Sequence, residues 1–342
     1  MKAVRMYEHG GPEVLRVEAA SDPRAGAGEV VVAVTASALN HVDVDVREGT
    51  SRFPVSFPHV LGFEAVGHIT QIGAGVEGWA VGDRVHPYLL NTCGRCRYCR
   101  TGRESLCTAP GMISVASDGC YQEQIRVPAR QLLRVPDGIS DVAAAAIPTA
   151  FATAWHMLFT RARLTTGEVL LINSVGSGIG AAALQLARLA GAYVIGTSSS
   201  EAKLEFARKR GIDATIDYTR TDVAAEVMRL TDGAGADVVF EHVGGDSFQR
   251  ALDSVAKDGR IVIAGGHAGE VVPFDIIPFF RRQLAVLGSS AYTSEEVDRV
   301  YALAARGLIE PDVFRTFPLV EAAEAMRVME RREQFGKIVL TV

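Results

Sequence analysis

Four of the five cysteines in this 342-residue chain lie close together, at Cys93, Cys96, Cys99 and Cys107. Thiolate sulfur is a preferred zinc ligand, and four thiolates at short spacing can close a tetrahedral shell around one ion. Because a closed shell has no open coordination position, such a site is structural rather than catalytic. We therefore predict one structural Zn²⁺ per chain. An iron–sulfur cluster uses the same ligands, but the hydride chemistry inferred below favours zinc.

A glycine-rich segment follows an apolar run at residues 169–172 and leads into a helical pattern. Glycines at such a turn let the backbone approach a pyrophosphate, and the N-terminus of the following helix offers unpaired N–H groups. The position between a strand and a helix makes the motif typical of dinucleotide binding. The predicted cofactor-binding residues of this segment are Ser174, Gly176, Ser177, Gly178, Ile179 and Gly180.

The next predicted strand ends at Ser198 and Ser199, without a carboxylate at its tip. NAD-binding proteins usually carry an acidic residue there, which binds the ribose 2′-hydroxyl. Serine hydroxyls, with Lys203 and Tyr218 nearby, suit a 2′-phosphate better and favour NADPH. The nearest acid, Glu201, is explained by a capping box with Ser198 that opens the next helix.

The order of the elements indicates how these residues are positioned. Residues 149–290 alternate strand and helix patterns, which predicts a Rossmann doubly wound parallel sheet in an α/β fold. Residues 1–148 contain short β-branched runs separated by Gly and Pro, which predicts a barrel-like, β-rich domain carrying the cysteine lobe at about 91–108. Residues 291–342 are expected to return to this first domain. The Ala-rich stretch 143–159 is expected to be helical.

Composition excludes several classes of partner. The net charge of −5 leaves no basic excess with which to neutralise phosphates, so nucleic-acid and anionic-membrane binding are not expected. No apolar run is long enough to span a membrane, and the first residues lack the apolar region of a signal peptide. We expect a cytoplasmic protein.

These features together resemble the medium-chain dehydrogenase/reductase superfamily, which joins a GroES-like catalytic domain to a Rossmann domain. The resemblance covers essentially the whole chain and includes residues 58–67, Pro-His-Val-Leu-Gly-Phe-Glu-Ala-Val-Gly, and the closing residues 336–340, Gly-Lys-Ile-Val-Leu. It implies that Thr153 lies near the nicotinamide. It also implies a homodimer or homotetramer, formed when the strand at residues 284–287 pairs with its copy.

Two further strand ends belong to the expected cofactor site. His242 and Val243 follow one strand, and Gly265 and Gly266 follow the next. In open α/β sheets ligands bind at the carboxyl edge, so the backbone of these residues is expected to line the nicotinamide ribose.

The chain departs from the family's zinc alcohol dehydrogenases at the catalytic metal. The three ligand positions correspond to Asn40, Phe63 and Thr149, which cannot form a zinc shell, and only the neighbouring Glu64 is retained. The sequence from Asn40 to Asp43 instead resembles the zinc-independent quinone oxidoreductase and enoyl reductase branch. That branch uses NADPH and normally lacks the four-cysteine lobe, so this chain combines features of both.

Without a Lewis acid, direct reduction of a carbonyl loses stabilisation of the alkoxide that forms. Conjugate addition of hydride spreads the charge over an enolate or hydroquinone, which hydrogen-bond donors can stabilise. We therefore predict hydride transfer from NADPH to an activated C=C bond or a quinone, with a small apolar carbonyl, enone or quinone as substrate. Asn40 is the candidate donor to the substrate oxygen, and Asp45 is a candidate proton relay.

Two alternatives remain open. The first is a carbonyl reductase or alcohol dehydrogenase that uses no metal or a non-standard one, for which His41, Asp43, His59 and Glu64 are candidate ligands. The second is a non-catalytic NADPH-binding redox sensor.

Overall fold

The computed structural model describes all residues from Met1 to Val342. The chain divides into two compact units. Unit 1 comprises Met1–Thr149 and Thr293–Val342, and unit 2 comprises Ala150–Tyr292. The C-terminal segment therefore belongs to the same unit as the N-terminal part of the chain.

Unit 1 is built mainly from β-strands. They are β1 (Lys2–Met6), β2 (Arg16–Ala19), β3 (Glu29–Ala38), β4 (His59–Val60), β5 (Ala65–Ile72), β6 (Arg84–Pro87), β7 (Leu90–Asn91), β8 (Gly111–Met112), β9 (Gln124–Pro128), β10 (Leu132–Arg134), β17 (Val313–Pro318) and β18 (Lys337–Thr341). A seven-stranded sheet follows the path β10-β6-β5-β3-β18-β17, with β9 also paired to β3. Smaller sheets, β2-β1-β4 and β7-β8, complete the β structure and fit the predicted β-rich first domain.

The ten-residue strand β3 organises unit 1. Its inner side chains Val30, Val32 and Val34 are buried in a core shared with β5 and β9. Strand β9 pairs with the first half of β3, and β18 pairs antiparallel with its end, where Val339 lies opposite Ala38. This register brings the start of β18 alongside the residues that follow β3.

Unit 2 contains one six-stranded sheet. Its strands are β11 (Val169–Ile172), β12 (Tyr193–Ser198), β13 (Ala214–Asp217), β14 (Ala236–Glu241), β15 (Val255–Ile263) and β16 (Ala285–Gly288). They are all parallel and lie in the order β13-β12-β11-β14-β15-β16. This is the doubly wound order, and it confirms the predicted Rossmann fold.

The helices fall into two sets. Unit 1 contains α1 (His41–Glu48), α2 (Asp141–Ala146), α9 (Ser294–Ala305) and α10 (Ala322–Glu330). Unit 2 contains α3 (Thr153–Trp155), α4 (Gly178–Leu189), α5 (Glu201–Lys209), α6 (Val223–Leu230), α7 (Asp246–Ser254) and α8 (Ile276–Arg281). Gly191 and Gly211 follow α4 and α5 with φ of 77°, in the left-handed conformation that commonly ends helices.

The stretch expected to be helical at 143–159 is an interrupted helix. After α2, π-helical turns at Pro148–Ala152 and His156–Arg161 flank the short α3. Proline lacks a backbone N–H and cannot continue the i to i−4 hydrogen-bond ladder, which accounts for the break at Pro148. The segment Asp141–Arg161 is long and apolar enough to span a membrane, but 67% of its apolar window is buried, as in a core helix of a soluble protein.

The predicted capping box between Ser198 and Glu201 is wrong. The residue that precedes α5 is Ser200, and Ser198 Oγ accepts a hydrogen bond from the Ser200 amide at 3.2 Å. Because β12 extends to Ser198, that residue is still in the strand and cannot cap the helix. Glu201 forms an ion pair with Arg208 instead, with 2.5 Å between Oε1 and Nη1.

Candidate functional site

The four predicted metal-binding cysteines converge in unit 1. The sulfur atoms of Cys93, Cys96, Cys99 and Cys107 all lie within 4.8 Å of one another. The Cys96–Cys99 and Cys93–Cys99 sulfur separations are 3.5 and 4.0 Å. Tetrahedral zinc with Zn–S bonds of about 2.3 Å requires sulfurs about 3.8 Å apart, so the cluster has the size of a zinc shell.

The electrostatics of the lobe also fit a cation. Backbone N–H groups donate to the Cys96 sulfur and lower its pKa to about 5. Burial and the adjacent Cys96 sulfur raise the pKa of Cys99 to about 12, because several thiolates cannot be charged side by side without a counter-ion. A divalent cation would allow all four to ionise together. These residues would therefore hold one structural zinc ion.

A second polar cluster lies where β3, β5 and β18 begin or end in unit 1. The Lys337 ammonium donates to the Leu39 carbonyl at 2.7 Å, to Asn40 Oδ1 at 2.6 Å and to Glu64 Oε1 at 2.8 Å. Asn40 Nδ2 donates to the same Glu64 oxygen at 2.9 Å. The Thr149 amide donates to Glu64 Oε2 at 2.8 Å.

Two members of this cluster, Glu64 and Lys337, are charged and buried. Glu64 is 0% exposed and Lys337 is 5% exposed, whereas Asn40 is only partly buried. Each hydrogen of the Lys337 ammonium has one acceptor, as a buried charge requires. Because Nζ can only donate, it fixes the Asn40 amide with Oδ1 toward the lysine and Nδ2 toward Glu64. Asn40 is thus the member of the trio that faces accessible space.

Local structure explains the position of Asn40. It precedes α1, and its backbone amide donates to Asp43 Oδ2 at 2.8 Å, while Asp43 Oδ1 accepts from the Gly62 amide at 3.0 Å. Gly62 has a φ of 108°, and a Cβ there would lie 2.6 Å from the Tyr121 ring. Complete burial raises the pKa of the Asp43 carboxyl to about 7.

The four alternative metal ligands in unit 1 do not converge. His59 Nε2 bonds the Ser114 carbonyl at 3.1 Å, and Asp43 and Glu64 are occupied by the separate contacts given above. His41 is exposed on α1, and its Nε2 atom lies 4.0 Å from Oδ1 of Asp45, which is one turn further along the same helix. Asp45, the candidate proton relay, is therefore a half-exposed partner of His41, and its role stays a prediction.

In unit 2 the glycine-rich segment joins β11 to α4 and has the shape of a phosphate cradle. Ser177 caps α4, and its Oγ accepts from the Gly180 amide at 3.0 Å. The amides of Gly178 and Ile179 lie in the first turn of α4, where helices have no internal acceptors. A Cβ on Gly180 would lie 2.4 Å from the Ser174 carbonyl, so only glycine fits there. These groups fit a pyrophosphate.

The predicted 2′-phosphate residues gather at the end of β12. Ser198 is buried, Ser199 is exposed, and Lys203 on α5 packs its aliphatic chain over Gly176. Tyr218 follows β13, and its amide donates to the Ser198 carbonyl at 3.3 Å. The Arg250 guanidinium lies 5.3 Å from the centre of the Tyr218 ring.

Glu241 ties the carboxyl ends of β11 and β14 together. It is fully buried and accepts from the Val243 and Gly244 amides, at 2.6 and 2.8 Å, and from the Ser247 hydroxyl, at 2.7 Å. The Asn173 side chain, at the start of the glycine-rich segment, also donates to it. The cradle is therefore anchored by a carboxylate with four donors.

His242 lies beside this anchor. Its Nε2 is 2.9 Å from Ser177 Oγ, and its Nδ1 is buried with no hydrogen-bond partner. Burial lowers the pKa of His242 to about 4, so the imidazole is neutral near pH 7. A buried nitrogen without a partner is costly in a folded protein, so this atom would gain a hydrogen bond from a bound ligand or water.

The remaining predicted cofactor residues also lie in unit 2. Thr153 begins α3 and is half-buried. Gly265 follows β15, and a Cβ there would lie 2.5 Å from the His242 carbonyl, so the two strand ends approach closely. Gly266 is next in the chain. The structure brings Val243, Gly265 and Gly266 to one edge of the sheet, as expected from the parallel order.

Sequence reasoning missed three functional candidates: Lys337, Arg250 and Glu241. Lys337 belongs to the closing motif at residues 336–340, where a lysine at the start of an apolar strand gives no signal of function. Arg250 carried no signal, because α7 is remote in sequence from β12. Glu241 was visible as an acidic residue at the end of a buried strand.

Comparison with known proteins identifies the family. The alcohol dehydrogenase GroES-like domain matches residues 26–137, and the zinc-binding dehydrogenase domain matches residues 178–306. The chain is 32% identical over 348 residues to an acryloyl-coenzyme A reductase of Metallosphaera sedula, covering 100% of each chain. It is also 32% identical over 348 residues to a quinone oxidoreductase of Pseudomonas aeruginosa, with 99% of each chain covered.

A solved structure agrees. The crystal structure of an NAD-dependent alcohol dehydrogenase has a TM-score of 0.95 to this chain, with 40% sequence identity and 100% of both chains covered. The chain therefore belongs to the medium-chain dehydrogenase/reductase superfamily, and the resemblance found in the sequence is confirmed. It is an NAD(P)-dependent oxidoreductase.

Proposed function

We propose that this enzyme uses NADPH to reduce an activated C=C bond or a quinone, without a catalytic zinc ion. The observation that carries the proposal is the cluster of Asn40, Glu64 and Lys337. At the positions where zinc alcohol dehydrogenases of the family hold their metal, this chain has an amide fixed by a lysine and a glutamate. Such a group offers a hydrogen-bond donor rather than a Lewis acid.

The chemistry follows from that donor. NADPH, when bound, supplies the hydride. An Asn40 N–H can donate to the acceptor oxygen as negative charge develops there, and conjugation spreads this charge over several atoms. One donor is then adequate, whereas the localised alkoxide of direct carbonyl reduction needs stronger stabilisation. The final proton comes from solvent, either directly or relayed by Asp45.

The preference for NADPH rests on charge and hydrogen bonding at the end of β12. Ser198 and Ser199 replace the usual carboxylate, and Lys203 and Arg250 add two positive charges in the same region. A 2′-phosphate would be attracted to these cations, whereas the 2′-hydroxyl of NADH would lack its usual acceptor.

The names of two relatives support an acceptor of this class. Acryloyl-coenzyme A is an α,β-unsaturated thioester, and quinones are conjugated dicarbonyls; both take hydride at a conjugated position. The exposed side chains Phe53 and Phe57, at 39% and 40% exposure, support an apolar acceptor. A cytoplasmic location agrees with this chemistry, since NADPH is an intracellular reductant.

Alcohol dehydrogenase activity is the second candidate, supported by the 40% identical solved structure with that name. An α,β-unsaturated aldehyde distinguishes the two, because it offers both a C=C and a C=O bond. With NADPH and purified enzyme we expect a saturated aldehyde, identified by mass spectrometry. An allylic alcohol would refute the proposal. Tight NADPH binding with no turnover of any acceptor would instead indicate a redox sensor.

We also propose a homodimer formed through unit 2. Strand β16 lies at one end of the six-stranded sheet and has a free edge. The preceding helix α8 exposes Ile276, Ile277 and Phe280 by 64%, 50% and 55%, an apolar surface that a second copy would cover. Light scattering after size exclusion should give twice the monomer mass, and Phe280→Asp should shift it toward the monomer. An unchanged mass in that variant would exclude this interface.

A further inference from the structure

Lys337 lies at the centre of the polar cluster in unit 1, and the chemistry described above uses it only to fix the Asn40 amide. Its side chain is buried, and all three ammonium hydrogens are used, on the Leu39 carbonyl, Asn40 Oδ1 and Glu64 Oε1. A buried ion pair contributes little net stability, since desolvation offsets the attraction. A lysine and glutamate kept in the core thus suggest a role beyond stability.

We propose that Lys337 is a positioning residue that makes Asn40 a stronger hydrogen-bond donor toward the substrate oxygen. This inference rests on the proposed function, in which the Asn40 amide stabilises charge on the acceptor. Lys337 acts through Asn40 and does not touch the substrate.

The geometry assigns two effects to the lysine. First, Nζ at 2.6 Å from Oδ1 fixes the amide so that its oxygen faces inward and its nitrogen faces outward. The reversed amide would place NH₂ against an ammonium and present an acceptor to a developing oxyanion. Second, a cation on the amide oxygen withdraws electron density from the nitrogen, which makes the N–H groups more polar.

The hydrogen-bond count leaves one N–H for the substrate. Asn40 Nδ2 donates one hydrogen to Glu64 Oε1 at 2.9 Å. Its second hydrogen has only the Ala38 carbonyl at 3.5 Å, the outer limit of a hydrogen bond, so a closer acceptor can take it. Glu64 therefore aims the amide, and Lys337 polarises it.

The register of the sheet explains why Lys337 can serve this purpose. It opens β18, whose Val339 pairs with Ala38 at the end of β3, and the Leu39 amide donates to the Ile338 carbonyl at 2.9 Å. These bonds clamp the backbone of Asn40 and Lys337 together. Because successive side chains of a strand point to opposite faces, a lysine at position 338 would point away from the amide.

A double-mutant cycle tests the proposal. Lys337→Met, Asn40→Ala and the double variant are compared with wild type for single-turnover reduction of an α,β-unsaturated aldehyde by NADPH. If the lysine acts through the amide, Lys337→Met should slow wild type about ten- to a hundredfold but slow Asn40→Ala less than about threefold. If Lys337→Met slows wild type and Asn40→Ala by the same factor, the proposal is overturned, because a purely structural role of the lysine would reduce the rate equally in both backgrounds.

Three controls keep the outcome interpretable. The Kd for NADPH should stay unchanged in every variant, since the nucleotide residues lie in unit 2. Lys257→Met, which removes an exposed lysine, should leave the rate unchanged. If Lys337→Met does not fold, the double variant Glu64→Gln/Lys337→Met removes both buried charges together. Its single-turnover rate should be as low as that of Asn40→Ala. A rate within about threefold of wild type would overturn the proposal.

The same experiment separates failure of the inference from failure of the proposed function. Reduction of the carbonyl by wild type would refute the proposed function, but the cycle would still show whether Lys337 acts through Asn40 on the substrate oxygen. A saturated product with multiplicative effects would refute the inference alone. Absence of turnover with aldehydes, thioesters and quinones would overturn both.

Discussion

Replacing Asn40 removes the proposed donor and also disturbs a buried ion pair, and both consequences can be measured. In Asn40→Ala, Lys337 loses its 2.6 Å acceptor and Glu64 loses one of its three donors. A buried polar group without a partner costs about 1–3 kcal/mol. At about 2–4 °C per kcal/mol, the melting temperature should fall by roughly 2–12 °C.

The catalytic loss should be larger than the loss of stability. Removing one donor from an oxyanion-binding site lowers kcat by about 10²–10³-fold, or about 2.7–4 kcal/mol. We therefore expect the single-turnover rate of Asn40→Ala to fall about a hundredfold or more at a temperature where the variant is fully folded. The Kd for NADPH, measured by its fluorescence, should change little.

Asn40→Asp is the matched control for shape. The aspartate keeps the volume and an oxygen for Lys337, but it has no N–H to donate and places a second carboxylate beside Glu64. It should be at least as slow as Asn40→Ala. If either variant retains a rate within about twofold of wild type, Asn40 has no part in the reaction and the proposed chemistry is wrong.

Three further predictions concern the metal, the nucleotide and pH. In Cys107→Ser, elemental analysis should find no bound zinc, and the melting temperature should fall by about 10 °C, which corresponds to a loss of roughly 3 kcal/mol in the free energy of unfolding. The control variant Cys120→Ala should keep its zinc. A full metal content in Cys107→Ser would refute the four-cysteine site. Lys203→Met keeps an aliphatic chain over Gly176 but loses the charge. The Kd for NADPH should therefore rise about tenfold or more, while the Kd for NADH stays constant. Equal changes in the two Kd values would exclude a contact between Lys203 and the 2′-phosphate. Because burial lowers the pKa of His242 from 6.5 to about 4, the unfolded chain binds a proton in this window that the folded chain does not. The free energy of unfolding should therefore fall by about 3 kcal/mol between pH 6.5 and 4, and denaturation of His242→Asn across this range should lack that part of the slope.

Much of the fold was predictable because its signals are local. The strand at residues 169–172 is marked by its own short apolar run. The ends of α4 and α5 are each marked by a glycine that adopts a left-handed turn directly after the helix. The four cysteines likewise lie in one segment. In each case chain connectivity alone brings the participating atoms together.

The cluster in unit 1 was only partly predictable, because its residues meet through sheet register. Asn40 and Glu64 could be aligned with a family pattern, but Lys337 reaches them only because β18 pairs with the end of β3. Nothing in residues 336–340 distinguishes a functional lysine from one at a strand end. The failed capping box has a local origin, because Ser198 is still part of β12 and Ser200 is the residue that precedes α5.

The mixture of branch features also has a structural explanation. The cysteine lobe is a single segment whose sulfurs are stabilised by its own backbone amides, and Glu104 ties it to α9 through Ser294 at 2.7 and 2.8 Å. The Asn40 cluster uses the ends of β3 and β18 and the start of β5, and it shares no residue with the lobe. The proposed zinc site and the proposed catalytic cluster can therefore change independently. A lobe able to hold structural zinc carries no information about catalytic zinc, and the chemistry must be judged from Asn40, Glu64 and Lys337 alone.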